Sequence, residues 1–519
     1  MKNLLILYAA NLKGQAFLPL YSGKNAVELC LEQAKKFIGV KKTVLFSDNS
    51  DFSFLKDVEI EQRDSGAWTK RSVLERIAEL QGDFDLIYFA FADCPFLDPA
   101  LADSIAQRHL KFRAEYSYAD GFPFGLAPET LSPGTAGILA KILGDDDGSV
   151  ERDMLFSVIQ KDINAFDIEA EISSVDLRCH RLNLCADSKR NFLLLNNFIT
   201  ANSNKIPHTN DVERIIENQS GILRTLPSFY PIQVYGGCPQ KCSICPYPAI
   251  TDAIGRKDFM EIDKFNALLD KIIEFSGDAV IDLSLWGELS LHSEKMKLIE
   301  AVIARKELSL IIETSGLGWK NEELEKCAQL SLSSDARITS LPSLSWIVSL
   351  DSADSKRYSN LRGAGFAEAE DCAKKLLKLF PKDCYVQAVR IKDSEDDTEK
   401  FYRYWKEASP NGEKNIIIQK YDDFCGSMEK KQASDISPVI RQPCWHIIRD
   451  FPVLLNGDVP LCREDLSVFK GDNKRVLGNV FADSLENIWQ NGGKYYNDQC
   501  KKNYAQICAD CDEYYTYNF

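Results

Sequence analysis

The sequence predicts an α/β chain of several domains: an N-terminal α/β sheet, a partial (β/α)6 barrel and a small cysteine-rich tail. Three observations carry this. The chain has 519 residues, more than a single hydrophobic core supports, so two to four domains are expected. Strand-like and helix-like patterns alternate over residues 1–195 and again over about 230–430, which implies parallel or mostly parallel sheets. From about residue 440 the alternation stops and the chain becomes loop-rich and dense in cysteine. Such a segment buries little core, so a metal staple is expected.

In the first block LLILY reads as a buried strand, AVELCLEQAKKF as a helix, KTVLFSD as a strand, and LIYFAFADCPFLDP as a strand ending in a turn. Residues 196–228 are polar and mixed and read as a linker with a short helix. Six strand candidates follow: PIQVY (231–235), AVIDLSL (279–285), LSLIIE (308–313), LSWIVSL (344–350), CYVQAVRI (384–391) and NIIIQKY (415–421). Helical patterns lie between most of them. Ile262, Phe265, Leu268, Leu269, Ile272 and Ile273 form one apolar stripe. The expected domains are therefore 1–195, a linker over 196–228, a barrel over 229–438 and a tail over 439–519. In such barrels the chemistry gathers on the loops after the strand C-termini.

The net charge of −15 argues against a nucleic-acid binder, which shows a basic face, and against docking on anionic lipid. The opening MKNLLILYAANLKG carries too short an apolar run for a secretory signal, and no run of roughly 18 apolar residues occurs. A cytoplasmic protein is expected. Disulfides are rare there, so sixteen cysteines point to metal binding. Seven fall into two spaced sets. Cys30, Cys94, Cys179, Cys185, Cys327, Cys372, Cys384 and Cys425 are scattered and read as small buried hydrophobes.

The first set, Cys238, Cys242 and Cys245 in GGCPQKCSICPYP, follows the strand PIQVY. Gly236 and Gly237 permit a tight turn, and the prolines stop a helix from running through the thiols. Thiolates bind soft metals and iron–sulfur clusters, and three of them leave one metal position open. This C-x3-C-x2-C after the first strand of a six-stranded β/α block resembles the radical S-adenosylmethionine (SAM) superfamily. The resemblance implies a [4Fe–4S] cluster on the three cysteines, with SAM on the open iron. SAM is then cleaved reductively to a 5′-deoxyadenosyl radical that abstracts hydrogen from a substrate. It also implies site residues. Trp286-Gly287-Glu288 resembles the family's Gly-Gly-Glu, with tryptophan at the first glycine, and Glu288 would receive the SAM amino group. Thr314-Ser315-Gly316 is similar to a Thr-Asn-Gly motif. Ser349 and Asp351, in the stretch WIVSLDSADSKRYSNLRG, would face the ribose or carboxylate of SAM. Arg390 would pair with that carboxylate. Where many members carry an aromatic residue just before the third cysteine, this chain has Ile244, with Tyr247 beyond.

The second set is Cys444, Cys462, Cys508 and Cys511, with Cys500 as a possible addition. Four thiolates suit a [4Fe–4S] cluster or zinc. The string Gly457-x4-Cys462, Leu477-Gly478-Asn479-Val480, Ile488-Trp489 and the final C-x2-C resembles the SPASM domain, which implies one auxiliary [4Fe–4S] cluster. Asp465, or Glu464 beside it, is a candidate general base. In the N-terminal block ADCPFLDPALAD resembles the metal-binding turn of sugar nucleotidyltransferases with a glycosyltransferase-A (GT-A) type sheet. Asp93 is the candidate ligand of a divalent cation and Lys24 a candidate phosphate partner. The glycine-rich, arginine-bearing phosphate loop of that family is missing.

The whole order resembles the spiro-SPASM protein family. It implies a radical SAM oxidoreductase or maturase served by an electron donor such as flavodoxin or ferredoxin. A peptide or protein side chain is the first expected substrate, and a nucleotide-linked sugar or small metabolite the second. A zinc-stapled binding protein without catalysis is the alternative of another class.

Overall fold

The computed structural model describes all residues except 49, 146, 255–257, 340, 434–440, 470–474, 510 and 512–519, with 251–254 and 393 described by backbone alone. The chain forms two compact units, Met1–Thr225 and Leu226–Phe519.

The first unit is built on seven strands: β1 (Asn3–Tyr8), β2 (Val40–Ser47), β3 (Glu59–Gln62), β4 (Leu86–Phe91), β5 (Tyr116–Asp120), β6 (Glu129–Leu131) and β7 (Ile168–Ile172). They lie in the order β3-β2-β1-β4-β6-β5-β7. Every pairing is parallel except the two made by β6. β1 and β4 are buried along their whole length, which is why they read as unbroken apolar runs. The first helix, Ala26–Ala34, starts on an Asn25–Glu28 capping box. Residues 196–228, expected as a linker, contribute the end of helix Lys189–Ala201 and the helix Thr209–Gln219, and they group with the first unit up to Thr225.

The second unit holds six parallel strands: β8 (Phe229–Pro231), β9 (Ala279–Asp282), β10 (Leu308–Thr314), β11 (Leu344–Ser349), β12 (Cys384–Arg390) and β13 (Ile416–Lys420). Their order, β13-β12-β11-β10-β9-β8, is that of a half-barrel with β8 and β13 as edges. Helix Ile262–Ser276 presents the expected stripe. Phe265, Leu268, Leu269 and Ile272 are buried, and Ile262 and Ile273 pack against the same core. β8 is shorter than the sequence suggests because, after a last bond from Ile232 to β9, residues 233–235 turn to other partners. Ile232 N donates to Asp282 O at 2.7 Å, and Gln233 N to Val453 O at 2.8 Å.

The described residues of the tail pack on the barrel. Residues 449–453 run beside β8, with Ser228 N bonded to Arg449 O and Phe451 N to Phe229 O, and so cover the open sheet edge. Phe451, Val453, Ile488 and Trp489 join the barrel core. The hairpin β14 (Asp458–Pro460) and β15 (Val476–Asn479) follows. Gly457 enters it at φ +87°, where a Cβ would meet Phe481 at 2.4 Å. Among the described residues no helix is long and apolar enough to cross a membrane.

Candidate active site

A cleft of about 250 Å³ lies on the loops that follow the half-barrel strands, and Cys238, Cys242 and Cys245 all line it. The loop bearing them is fixed by backbone bonds on several sides. Gly236 N donates to Asp258 O at 2.9 Å, Glu288 N to Gly237 O at 2.8 Å and Ser243 N to Leu361 O at 2.8 Å. Within it Gln240 is buried. Its Nε2 donates to Tyr358 Oη at 2.7 Å and its Oε1 accepts from Arg362 Nε at 3.0 Å. Arg362 Nη1 donates to Asp351 at 2.5 Å, and Asp351 also accepts from Val389 N at 2.8 Å. Burial pushes Cys238 and Cys245 up to about 12 and raises Cys242, with Arg362 pulling the other way. Thiols so placed bind metal as thiolates, the metal displacing their protons to solvent.

Glu288 forms the opposite wall and is buried. Ser315 N donates to its Oε2 at 2.8 Å and Thr314 Oγ1 to its Oε1 at 2.7 Å. The Thr314 oxygen itself accepts from Gly316 N and Trp319 Nε1, so its single hydrogen is directed to Glu288. Trp286, at the expected glycine position, has φ +49°. That left-handed conformation costs a non-glycine residue roughly 1–2 kcal/mol. The indole offsets this by packing against Phe424 and Phe469, with centroids 5.6 and 6.5 Å away. Tyr247 lines the cleft with Ile244, and its Oη donates to Gly236 O at 2.8 Å.

The cleft floor carries Asp282, Glu313, Ser349 and Gln387 at the strand ends. Glu313 Oε1 accepts from Ser349 Oγ at 2.6 Å and Gln387 Nε2 at 2.8 Å. Burial, with a contribution from Glu313, raises Asp282 to about 6 against the bond from Ser284 and the charge of Arg463. A carboxyl raised in the folded state destabilises as pH climbs from its ordinary value to about 6, and the whole penalty is present above that. Two units correspond to about 3 kcal/mol. Asp282→Asn is therefore expected to raise the melting temperature more at pH 8 than at pH 5. Equal shifts at both pH values would contradict it.

A second cavity in the same unit is lined by Cys444, Cys462, Cys508, Cys511 and, unexpectedly, Cys425. Cys462 Sγ accepts from Glu464 N at 3.2 Å, and Cys444 is oriented by a bond from its N to Gln499 Oε1 at 2.8 Å. Burial raises Cys444, Cys462 and Cys508. Cys500 ends the helix Leu485–Cys500 and does not line this cavity.

Comparison with known proteins agrees with this geometry. The family model "Radical SAM superfamily" matches residues 232–404, and the SPASM model, an iron-sulfur cluster-binding domain, matches 444–512. A protein of Treponema pallidum (strain Nichols), described as uncharacterized, is 33% identical over 379 residues, covering 70% of this chain and 98% of its own. The chain belongs to the radical SAM superfamily. Among solved structures it is similar to Streptococcus suis SuiB bound to precursor peptide SuiA (15% identity, 59% of this chain and 74% of that one, TM-score 0.39). It is also similar to anSMEcpe with bound AdoMet (16%, 55% and 84%, TM-score 0.38). A cytidylyltransferase from Leptospira borgpetersenii serovar Hardjo-bovis (strain JB197) is similar too (17%, 43% and 97%, TM-score 0.36).

This radical SAM enzyme uses a [4Fe–4S] cluster and SAM, and its SPASM domain binds auxiliary iron–sulfur. The donor sets fit. Three thiols share the cleft with Glu288, and among the described residues no fourth cysteine lines it. Gly287, Glu288, Ser315 and Ser349 line the cleft. Asp351 and Arg390 do not line it. Both Asp351 oxygens are held by Arg362 and Val389, whereas Arg390 reaches Glu395 at 2.9 Å on the exposed side of its strand. Two arginines do line the cleft, Arg362 and Arg463, the latter bonded to Glu464 at 2.6 Å. Asp465 is tied to Arg475 at 2.9 Å and Ser467 N at 3.0 Å and faces the second cavity, while Glu464 faces the cleft. Six of the eight scattered cysteines are buried as expected, but Cys179 is exposed and Cys425 joins the second cavity.

In the first unit Asp93 is not arranged for a divalent cation. Arg152 binds both its oxygens, at 2.9 and 2.6 Å, and reaches Asp187 at 3.1 Å. Phe91 and Phe124 lie against the guanidinium. Cys94 and Cys185 stand beside Asp93 with their sulfurs 3.2 Å apart. A fixed cation occupies the carboxylate, so the residues present do not fit a metal there. Lys24 is paired with Glu32.

Proposed function

We propose that Cys238, Cys242 and Cys245 hold the cluster that binds SAM, and that the enzyme removes hydrogen from a peptide or protein side chain. The supporting observation is the meeting of the three thiols, Glu288 and the Thr314–Ser315 turn in one cleft. The bound cluster and SAM supply a 5′-deoxyadenosyl radical on reduction. The chain's part is to hold and shield it. Glu288, fixed by two donors, accepts from the SAM ammonium. Arg362, whose charge acts on all three thiols, is the candidate partner of the carboxylate. Gln387, Gln419 and the acids of the floor line the rest of the cleft and offer partners to peptide amides. The absence of a fitting cation site at Asp93 leaves the nucleotide-sugar reading without support from the first unit.

We place the radical SAM core at 229–438 and the auxiliary domain at 439–519. The first unit, with 1–195 as its nucleotidyltransferase-like sheet of GT-A type, is a recognition or docking domain. A cytoplasmic location and an electron donor such as flavodoxin or ferredoxin complete the proposal. Glu288→Gln tests the SAM contact. Loss of one charged hydrogen bond is worth about 1.5–3 kcal/mol, roughly 10–100-fold in affinity. Iron-loaded E288Q is expected to bind SAM that much more weakly with unchanged iron content. Unchanged affinity would contradict the assignment.

A further inference from the structure

The second cavity has one thiol more than a four-iron cluster uses. Four come from the tail, at Cys444, Cys462, Cys508 and Cys511. The fifth, Cys425, precedes the matched SPASM residues 444–512 and sits on the loop after β13. Its thiol bonds to Cys511 and lies close to Cys462. The loop is shaped to present it. Phe424 and Cys425 are both left-handed, at φ 51° and 55°, an uncommon conformation for consecutive non-glycine residues. Bonds from Met428 N to Asp423 O at 2.9 Å and from Gly426 N to Asp423 Oδ1 at 2.9 Å hold the turn. The result points Phe424 into the first cleft and Cys425 into the second cavity.

We propose that Cys425 is a ligand-competent fifth donor of the auxiliary cluster, placed to take the iron that Cys511 holds. The proposal rests on the SPASM cavity binding a [4Fe–4S] cluster. With Cys511 absent, Cys425, Cys444, Cys462 and Cys508 still line the cavity, a complete thiolate set. Because the neighbouring Phe424 packs on Trp286, such an exchange moves a residue of the SAM cleft wall.

The test uses the full chain with Cys238→Ala/Cys242→Ala/Cys245→Ala, in which only the auxiliary site takes iron. After anaerobic reconstitution with iron and sulfide, this background is expected to hold about four iron per chain. Added Cys511→Ala keeps that iron and changes the electron paramagnetic resonance signal of the reduced cluster. Cys511→Ala with Cys425→Ala is left with three thiols, and its signal differs from that of Cys511→Ala alone, whereas Cys511→Ala with Cys500→Ala behaves like Cys511→Ala alone. The same iron content and the same signal in Cys511→Ala with and without Cys425 would overturn the proposal. A background without iron or sulfide would remove the auxiliary cluster itself, and this proposal with it.

Discussion

Arg362→Ala is expected to destabilise the second unit by about 3–5 kcal/mol, the range for removing one partner of a buried ion pair. Arg362 and Asp351 are both buried, with side-chain exposures of 10% and 1%. Burial works against the arginine's charge, but Asp351 and Cys242 outweigh it and raise its pKa. Loss of the guanidinium leaves the Asp351 carboxylate uncompensated and takes from Gln240 Oε1, in the three-cysteine loop, its bond from Arg362. Iron retention by the first site should fall with stability. Denaturant unfolding and iron content measure the two. A variant within about 1 kcal/mol of the parent would show that the pair is solvated. Arg362→Lys should recover only part of the loss, because an ammonium cannot bridge Asp351 and Gln240 as the planar fork does.

Gly287→Ala is expected to abolish SAM binding while leaving the half-barrel folded. The added Cβ would lie 1.9 Å from Tyr235 O and 3.0 Å from Tyr235 C. Both are backbone atoms at the entry to the cysteine loop, so no side chain can swing away. Relief requires Glu288 or the strand exit to shift. Overpacking costs about 1–3 kcal/mol, and a displacement of about 1 Å at a reacting centre costs on the order of 10²-fold in rate. Normal SAM affinity in G287A, with unchanged circular dichroism, would contradict this close packing as the reason for glycine here.

These two positions show what was legible in the sequence. The half-barrel strands and the stripe on Ile262–Ser276 follow from periodicity, which backbone geometry dictates directly. The cysteine loop and Glu288 sit at strand ends, where the motif spacing places them. Arg390 closes a strand, where neighbouring side chains point to opposite faces, and its own points to Glu395. Arg362 lies in the stretch WIVSLDSADSKRYSNLRG, but its bonds to Gln240 and Asp351 exist only once β11 and the cysteine loop meet. Arg152 is 59 residues from Asp93, and Cys425 stands outside both spaced cysteine sets. No local pattern announces either meeting. Trp286 marks the opposite case: the backbone has a glycine-like turn although the residue is tryptophan.

The central claim is that the three-cysteine cleft cleaves SAM. The direct measurement is 5′-deoxyadenosine released from SAM by anaerobically reconstituted, reduced protein, compared with Cys238→Ala/Cys242→Ala/Cys245→Ala. Release by the parent and none by the triple variant is the predicted result. No release from parent protein shown to carry iron and sulfide would contradict it.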